Sequence, residues 1–377
     1  METPFVFGKI ASEKNFTDRK DETGRLISNF TSQINTILIS PRRWGKSSLV
    51  SKAAQLAAKK DKTLRFCFID LYNVRTEEQF YQLLAYEVLR ASSSKWEELM
   101  GTAKKFMGRL VPKITFNPDP NNEFSLGFDW AEVKKQPDEI LNLAENISKA
   151  KKLKFIICID EFQNISGLGD SLIIQKKLRA NWQKHKRTTY CLYGSKRHML
   201  MEVFTSSEMP FYKFGDIIFL QKIAEEELVS FIISRFTSTG KKISAENAGF
   251  ITKMTECHPY YVQQLAQQAW LRSEKICTTN TVNEAHENLV QQLDFLFQTI
   301  TDELSNTQVN FLKALLLETI QFSSQKSLHE FQLGTSANVL RIKQALANKE
   351  IIDISGSSIT FLDPMYKYWL KKIYFKF

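Results

Sequence analysis

Short apolar runs alternate with helical stretches through the first 220 residues of the chain. Nearly every position in these runs is apolar or β-branched, so both faces of each strand should be buried, as in parallel strands covered by helices. Helices are predicted after the first two runs, from Lys46 to about Lys59 and from Glu77 to about Arg90. The pattern predicts an α/β fold with a five-stranded parallel sheet, whose strands are Thr36–Ser40, Leu64–Asp70, Phe155–Asp160, Thr188–Gly194 and Asp216–Leu220.

A long insertion separates the second predicted strand from the third. Its segment Val111–Trp130 holds two β-like runs on either side of the turn-forming letters PDPNN. Turn residues between two such runs favour a hairpin. We therefore predict a hairpin at about 111–130, on the periphery of the sheet.

From Ala224 onward the pattern becomes helical. One helix ends at Gly240, the next follows a possible cap at Ser244, a third opens with Pro259, and a fourth starts at about Thr281. These helices predict a helical domain over residues 223–300, after an α/β core over residues 1–222.

The last segment combines helices with a hairpin. Helices are predicted at Ser305–Ile320, Ser327–Phe331 and Ser336–Lys349, and the runs IIDIS and SITFL form two strands around a turn at Gly356. Three helices followed by a β-hairpin are the elements of a winged helix. A winged-helix domain is therefore predicted over residues 301–377.

Composition and charge restrict the cellular location of the protein and the kind of partner it binds. No run approaches the ~18 apolar residues of a membrane span, and the N-terminus lacks the basic and apolar regions of a secretory signal. We therefore expect a cytoplasmic protein without a membrane partner. The net charge of +10 favours an anionic partner, although the basic clusters are also compatible with solvated helix ends. No two cysteines have CxxC spacing, and Cys67, Cys158 and Cys191 lie in apolar runs, which predicts buried, reduced thiols.

The first candidate site follows the first strand, where Ser40 is followed by PRRWGKSS. This loop-to-helix geometry is typical of a phosphate-binding loop, in which backbone N–H groups point at phosphate oxygens. Lys46 would reach the β and γ phosphates and Ser47 would hold Mg²⁺, although Ser40 stands where the motif has its first glycine. The alternative is a helix start without a ligand. Predicted nucleotide-binding residues are Pro41, Arg42, Arg43, Trp44, Gly45, Lys46, Ser47 and Ser48.

The second candidate site is the pair Asp160-Glu161 at the end of the apolar strand KFIICID. Carboxylates at this position are costly without a partner. In phosphate-loop enzymes the Asp completes the Mg²⁺ shell and the Glu polarises the attacking water. The alternative is a charged pair that only caps the strand. Together, the two motifs predict binding of ATP or GTP.

A third candidate site follows the fourth strand, in YGSKRHML. Ser195 is predicted to sense the γ-phosphate beside the Asp160 strand. Arg197 could reach the same phosphate, and so could Arg179 or Arg187 from a neighbouring subunit of a nucleotide-dependent oligomer. The alternative for each arginine is a solvated surface position.

With these motifs, the chain resembles the prokaryotic AAA+ ATPases grouped with the STAND type. FTDRKDE is similar to that family's FxGRExE segment, SPRRWGKSS to its GPRRxGKTS loop, and CIDEFQ to its metal-and-base strand. ECHPYYVQQL is similar to its HP motif, and LDPMYKYWLKK to the closing segment of its winged helix. The resemblance implies a P-loop core, a helical lid and a C-terminal winged helix. It also implies that Phe16 and Arg19 lie against the adenine and that His258 and Pro259 face the nucleotide from the lid.

Three functions remain open at this stage. The first is an ATP-hydrolysing switch, slow and stimulated by an unknown protein partner, since Lys46, Ser47, Asp160 and Glu161 are all present. The second is a DNA-binding ATPase that uses the helix SANVLRIKQALANKE, although residues 301–377 carry nine Lys and Arg against seven Asp and Glu. The third is a scaffold that binds nucleotide without hydrolysis, against which the presence of Glu161 argues.

Overall fold

The structure is a computed structural model that describes residues 3–10, 16–17, 19–93, 96–107, 113–115, 125–127 and 130–377. The chain divides into two units. One, the sheet unit, consists of Arg19–Arg42 and Lys46–Gln221. The other, the helical unit, consists of Arg43–Gly45, Lys222–Phe377 and the described residues before Arg19.

The sheet unit is built on five parallel strands, as the apolar runs predict. They are β1 Thr36–Ile39, β2 Leu64–Asp70, β5 Lys154–Asp160, β6 Thr188–Gly194 and β7 Asp216–Phe219. Their order across the sheet is β2-β5-β6-β1-β7. β6 therefore separates β1 from β5, with Ile39 opposite Gly194 and Cys158 opposite Cys191. This order brings the carboxyl ends of β1, β5 and β6 to one edge, where open parallel sheets bind their ligands.

Helices cover this sheet and close its core. Trp182 stacks on Tyr190 with ring centroids 4.0 Å apart, among side chains that are fully buried. The three cysteines in the apolar runs are buried and free, as predicted. The two predicted helices are confirmed with ends one and two residues later than expected. The helices of the unit are α1 Lys20–Thr31, α2 Lys46–Lys60, α3 Glu77–Ser92, α4 Trp96–Phe106, α5 Trp130–Lys135, α6 Pro137–Leu141, α7 Leu143–Lys151, α8 Ser171–Trp182 and α9 Arg197–Thr205.

The predicted hairpin of the insertion is present as an antiparallel pair, β3 Lys113–Thr115 and β4 Ser125–Gly127. This pair forms a two-stranded sheet of its own, separate from the five-stranded sheet. The rest of the predicted segment 111–130, apart from Trp130 at the start of α5, lies outside the described residues.

The helical unit begins with four helices whose starts follow the predicted signals. α10 Glu225–Thr237 precedes Gly240, the Ser244 side chain caps α11 Ala245–Met254, and Pro259 is the first residue of α12 Pro259–Arg272. α13 Thr279–Asp302 starts two residues earlier than expected because Thr278 caps it. A short parallel pair, β8 Lys242–Ile243 and β9 Ile276–Cys277, is not predicted from the sequence, since two residues give no readable alternation.

The C-terminal elements occur in the predicted order. They are α14 Asn306–Leu316, α15 Gln325–Glu330, α16 Ser336–Asn348, β10 Ile352–Ser355 and β11 Ser358–Phe361, followed by α17 Pro364–Trp369 and a π-helical turn Leu370–Tyr374. α17 packs on α13: the Tyr366 hydroxyl bonds Thr301, and Trp369 Nε1 donates to Asp294 at 2.6 Å. One hydrophobic core is thereby shared across the predicted boundary at residue 300. Within the described part of the chain, no helix has the length and apolarity to cross a bilayer.

Candidate functional site

The loop after β1 turns sharply into α2. The Ser40 hydroxyl donates to the carbonyl of Pro41 at 2.8 Å, and Arg43 and Gly45 both have left-handed backbone, with φ of 64° and 87°. Glycine adopts this conformation without a side-chain penalty, which explains Gly45 directly before the helix. α2 then starts at Lys46, so the unsatisfied N–H groups of its first turn lie at the carboxyl edge of the sheet. An anion is the natural ligand of such a helix start.

Lys46 lies between the two carboxylates that end β5. Its Nζ is 2.6 Å from Glu161 Oε1 and 3.3 Å from Asp160 Oδ1, and all three side chains are largely buried. Burial opposes the charge of Lys46, but the two carboxylates outweigh it and hold the pKa of Lys46 above its usual range. One cation faces two anions, so the cluster keeps a net negative charge and can accept a further cation.

Ser47 and Asp160 present hard oxygen donors. The Ser47 hydroxyl donates to Asp160 Oδ2 at 2.6 Å. Burial raises the pKa of Asp160, and Lys46 and the Ser47 hydroxyl offset only part of that rise. A buried carboxylate with a hydroxyl beside it fits Mg²⁺, which prefers oxygen ligands and binds proteins through one or two of them. These two residues would hold the predicted metal ion.

Glu161 is held by its neighbours on the other side. It has left-handed backbone, with φ 51° and ψ 43°, and opens a 3-10 turn, Phe162–Gly167. Its Oε2 accepts from the Ser195 hydroxyl at 3.0 Å and from the Ser195 backbone N–H at 3.2 Å. Burial alone would raise the pKa of Glu161, but Lys46, a hydrogen bond from the Gln163 side chain and the Ser195 backbone N–H outweigh it and hold the pKa below its usual range. Glu161 is therefore ionised near neutral pH, as a proton acceptor must be.

Thus the structure brings together Lys46, Ser47, Asp160, Glu161 and Ser195, which the sequence places in three separate motifs. For two of the three predicted arginines, Arg197 and Arg179, the structure shows contacts within the sheet unit. The Arg197 guanidinium lies 5.4 Å from the ring centroid of Phe219. Arg179 donates to the carbonyl of Pro210 at 3.1 Å and lies over the ring of Phe214, so its side chain is held within its own subunit. Arg187 is exposed.

The predicted adenine segment is described in part. Phe16 is half-buried, and the guanidinium of Arg19 is buried, where its Nη1 donates to Glu22 at 3.0 Å and to the carbonyl of Gln221 at 2.5 Å. Arg19 thus links the residue before α1 to Gln221, the last residue of the sheet unit, by a hydrogen bond. A role for Phe16 and Arg19 toward adenine stays a prediction.

Two residues of the PRRW loop make contacts inside the helical unit. The Arg43 guanidinium lies 4.5 Å from the ring centroid of Tyr260, and Trp44 meets His258 edge-on with centroids 6.4 Å apart. His258 is 6% exposed, directly before Pro259, and its Nδ1 has no hydrogen-bond partner in the described structure. Burial, together with Arg43 and Lys222, lowers the pKa of His258 to about 4. The imidazole is therefore neutral near pH 7, and any contact it makes with a phosphate is through a neutral ring.

The sequence of this chain matches the model of a known protein family. The model of the predicted AAA-ATPase family matches residues 16–213, which is more than half of the chain and includes all three motifs. The chain belongs to this family. The α/β P-loop NTPase fold with a five-stranded parallel sheet, predicted from the sequence, is confirmed.

Solved structures of similar fold extend over nearly the whole AAA-ATPase chain. A Walker-type ATPase of Pyrococcus abyssi matches with a TM-score of 0.68 at 15% identity, covering 98% of this chain and 99% of that one. The ORC2 protein of Aeropyrum pernix, in ADPNP and ADP complexes, matches with a TM-score of 0.60 at 15% identity over 96% and 93%. The ORC1 protein of the same organism, in complex with DNA, gives 0.51 at 11% identity over 100% and 99%. No curated protein sequence matches the chain significantly.

Sequence reasoning missed one residue of this AAA-ATPase site. Gln163 donates from Nε2 to Glu161 Oε2 at 2.5 Å and is almost fully buried. A glutamine three residues after a strand end is an ordinary turn residue by pattern alone. The turn FQNISG contains other polar residues, so its composition does not single out Gln163.

Proposed function

We propose that this protein is an ATP-binding and ATP-hydrolysing molecular switch that couples its nucleotide state to a protein partner. The observation that carries the proposal is the convergence of Lys46, Ser47, Asp160 and Glu161 at the carboxyl edge of the sheet, directly at the start of α2. Each of the four has the chemistry that phosphoryl transfer to water requires.

Different groups of the chain bind the phosphates, hold the metal ion and accept the proton. The N–H groups at the start of α2 and the ammonium of Lys46 bind the β and γ phosphates, and Lys46 can keep a carboxylate contact because its ammonium has three donors. Ser47 and Asp160 would hold Mg²⁺, which would supply positive charge against the negative charge of the phosphates. Glu161 orients a water molecule and accepts its proton as the water oxygen attacks the γ-phosphorus. The bond between the γ-phosphorus and the β–γ bridging oxygen breaks in the same displacement, so that ADP leaves and phosphate is formed. Ser195 holds Glu161 through two hydrogen bonds, and we assign it the role of sensing the γ-phosphate.

A path for coupling starts from the same loop. Arg43 and Trp44 contact Tyr260 and His258 at the start of α12. The next residue along, Tyr261, donates from its hydroxyl to Asp363, and Asp363 caps α17 by accepting from the N–H groups of Met365 and Tyr366. A change in the PRRW loop on nucleotide binding would therefore be transmitted through α12 to the C-terminal elements, where we place the helical lid and the winged helix.

A protein partner is favoured over DNA by the surface of α16, the candidate recognition helix. Leu340 on this helix is 70% exposed, whereas the basic Lys343 lies over the ring of Phe322 and Lys349 faces Glu303. Among the basic residues of α16 itself, this leaves Arg341 on the exposed side, where a phosphate-tracking helix would carry several. DNA binding remains the second candidate, because the ORC1 protein of similar fold is solved in complex with DNA.

Phosphate release tests the proposal. The purified chain with ATP and Mg²⁺ should release phosphate at a steady rate that chelation of Mg²⁺ stops. Binding of ATP without phosphate release would instead support a nucleotide-dependent scaffold. A salt-sensitive mobility shift of duplex DNA, weakened by Arg341→Ala, would favour the second candidate over a protein partner.

A further inference from the structure

Gln163 lies in a fixed position between the catalytic carboxylate and the backbone of β6. It is 1% exposed, on the 3-10 turn that follows Glu161. The amide end that meets Glu161 Oε2 at 2.5 Å is assigned as Nε2, because a carboxylate oxygen accepts and only the NH₂ group can donate. The Gln163 amide therefore directs its NH₂ group at Glu161.

The other end of this amide, Oε1, occupies the space in which a side chain at Gly194 would lie. A Cβ atom built on Gly194 would lie 2.0 Å from Gln163 Oε1 and 3.1 Å from its Cδ, so no side chain fits there while Gln163 keeps its position. Gln163 Oε1 has no hydrogen-bond partner in the described structure. A buried acceptor without a hydrogen-bond partner is unfavourable. The Gln163 amide therefore leaves Oε1 unpaired while Nε2 is held at Glu161.

The two oxygens of Glu161 are consequently unlike. Oε2 accepts from three donors: Gln163 Nε2, the Ser195 hydroxyl and the Ser195 backbone N–H. Oε1 contacts Lys46 alone among the hydrogen bonds of the described residues, on the side toward Asp160. With its lone pairs occupied, Oε2 is a poor proton acceptor, and the carboxylate cannot rotate about its last bond without losing all three bonds.

We propose that Gln163 is a positioning residue that locks the Glu161 carboxylate, so that Oε1 is the oxygen that accepts the proton of the attacking water. Gly194 is the second part of this lock, because its missing side chain provides the space for the amide. The inference rests on the proposed function and adds to it which oxygen reacts and what holds it.

Gln163→Met is the direct test, because methionine fills a similar volume and has no N–H donor. A matched control is Gln175→Met in α8, where another fully buried glutamine has an unpaired Oε1 and donates to Ser171 instead. We expect kcat for ATP hydrolysis to fall about tenfold in Gln163→Met, with KM changed less than about twofold, as for lost orientation of a base. Gln175→Met should change neither kcat nor KM.

A pair of substitutions separates the lock from general damage to the fold. Gly194→Ala should lower kcat about as much as Gln163→Met, because the new Cβ displaces the amide. In a Gln163→Ala background the same change should have less than a threefold further effect, since the amide is gone and the next atom, Leu200 Cδ1, lies 3.2 Å away. Independent, multiplicative effects of the two changes would overturn the lock, and so would an unchanged kcat in Gln163→Met.

ATP hydrolysis by the wild-type chain shows whether a negative result contradicts the role of Gln163 or the proposed function. If the wild-type chain hydrolyses ATP and Gln163→Met matches it, the lock is wrong and the ATPase assignment stands. If the wild-type chain binds ATP without hydrolysis, the proposed function is wrong and the lock is rejected with it.

Discussion

Lys46 and Glu161 form a buried ion pair with 2.6 Å between Nζ and Oε1, although 115 positions separate them in the chain. They meet because β6 alone separates the strand before Lys46 from the strand before Glu161. A buried charge that loses its partner is strongly unfavourable, so each residue depends on the other. The pair is also the point at which phosphate binding and proton transfer would be linked.

Lys46→Ala should remove nucleotide binding. The phosphates lose the cation that faces them from the start of α2, and charge-assisted hydrogen bonds of this kind support at least about a 100-fold difference in affinity. Fluorescent ATP titration measures the effect. Lys59→Ala, an exposed lysine in the last turn of the same helix, is the control and should bind like the wild type. Unchanged affinity in Lys46→Ala would show that the loop is not a phosphate site.

His258→Ala should weaken the coupling between nucleotide and the C-terminal elements. The ring lies against Trp44 and Tyr261, so its removal leaves a gap between the PRRW loop and α12. We expect ATP to protect residues 275–305 from limited proteolysis in the wild-type chain and to protect them less in the variant. The exposed His329 supplies the control substitution. Equal protection in both chains at saturating ATP would leave His258 as a packing residue without a part in coupling.

Tyr261→Phe should destabilise the helical unit by about 1–3 kcal/mol, the range for a hydrogen bond to a charged, buried partner. The hydroxyl bonds Asp363, whose pKa is raised by burial despite that bond, and whose carboxylate also caps α17. Urea unfolding followed by tryptophan fluorescence measures the loss. Tyr260→Phe keeps the ring under Arg43 and should cost less than about 0.5 kcal/mol. A similar small cost for Tyr261→Phe would remove this bond from the coupling path.

His185 should make the sheet unit less stable in acid. Its two ring nitrogens bond Tyr190 and Asn142, and burial lowers the pKa of His185 to about 4. The unfolded chain therefore binds a proton as pH falls through about 6.5, whereas the folded chain does so near pH 4. The free energy of unfolding should fall between about pH 6.5 and pH 4, and His185 should account for about 3 kcal/mol of that fall. His185→Gln should flatten the change between pH 7 and pH 4.5, and an equal slope in both chains would contradict this account.

The sequence predicts the sheet unit well because its strands are apolar throughout and its chemistry sits at strand ends. Lys46, Ser47, Asp160, Glu161 and Ser195 each follow an apolar strand, so the parallel arrangement alone predicts that they meet. Gln163 could not be found in this way, because its role depends on the left-handed turn at Glu161 and on the space at Gly194. Likewise, the bond between Tyr261 and Asp363 joins residues 102 positions apart without any periodic signal.

Steady-state phosphate release by wild-type and Glu161→Gln chains tests the central claim most directly. Glutamine keeps the shape of the side chain but cannot accept a proton, so ATP should bind with little change while kcat falls by about 10²–10⁴. Binding titration on the same preparations confirms that the site is filled. If Glu161→Gln released phosphate at the wild-type rate with ATP bound, the proton acceptor would lie elsewhere and the account of this site would be contradicted.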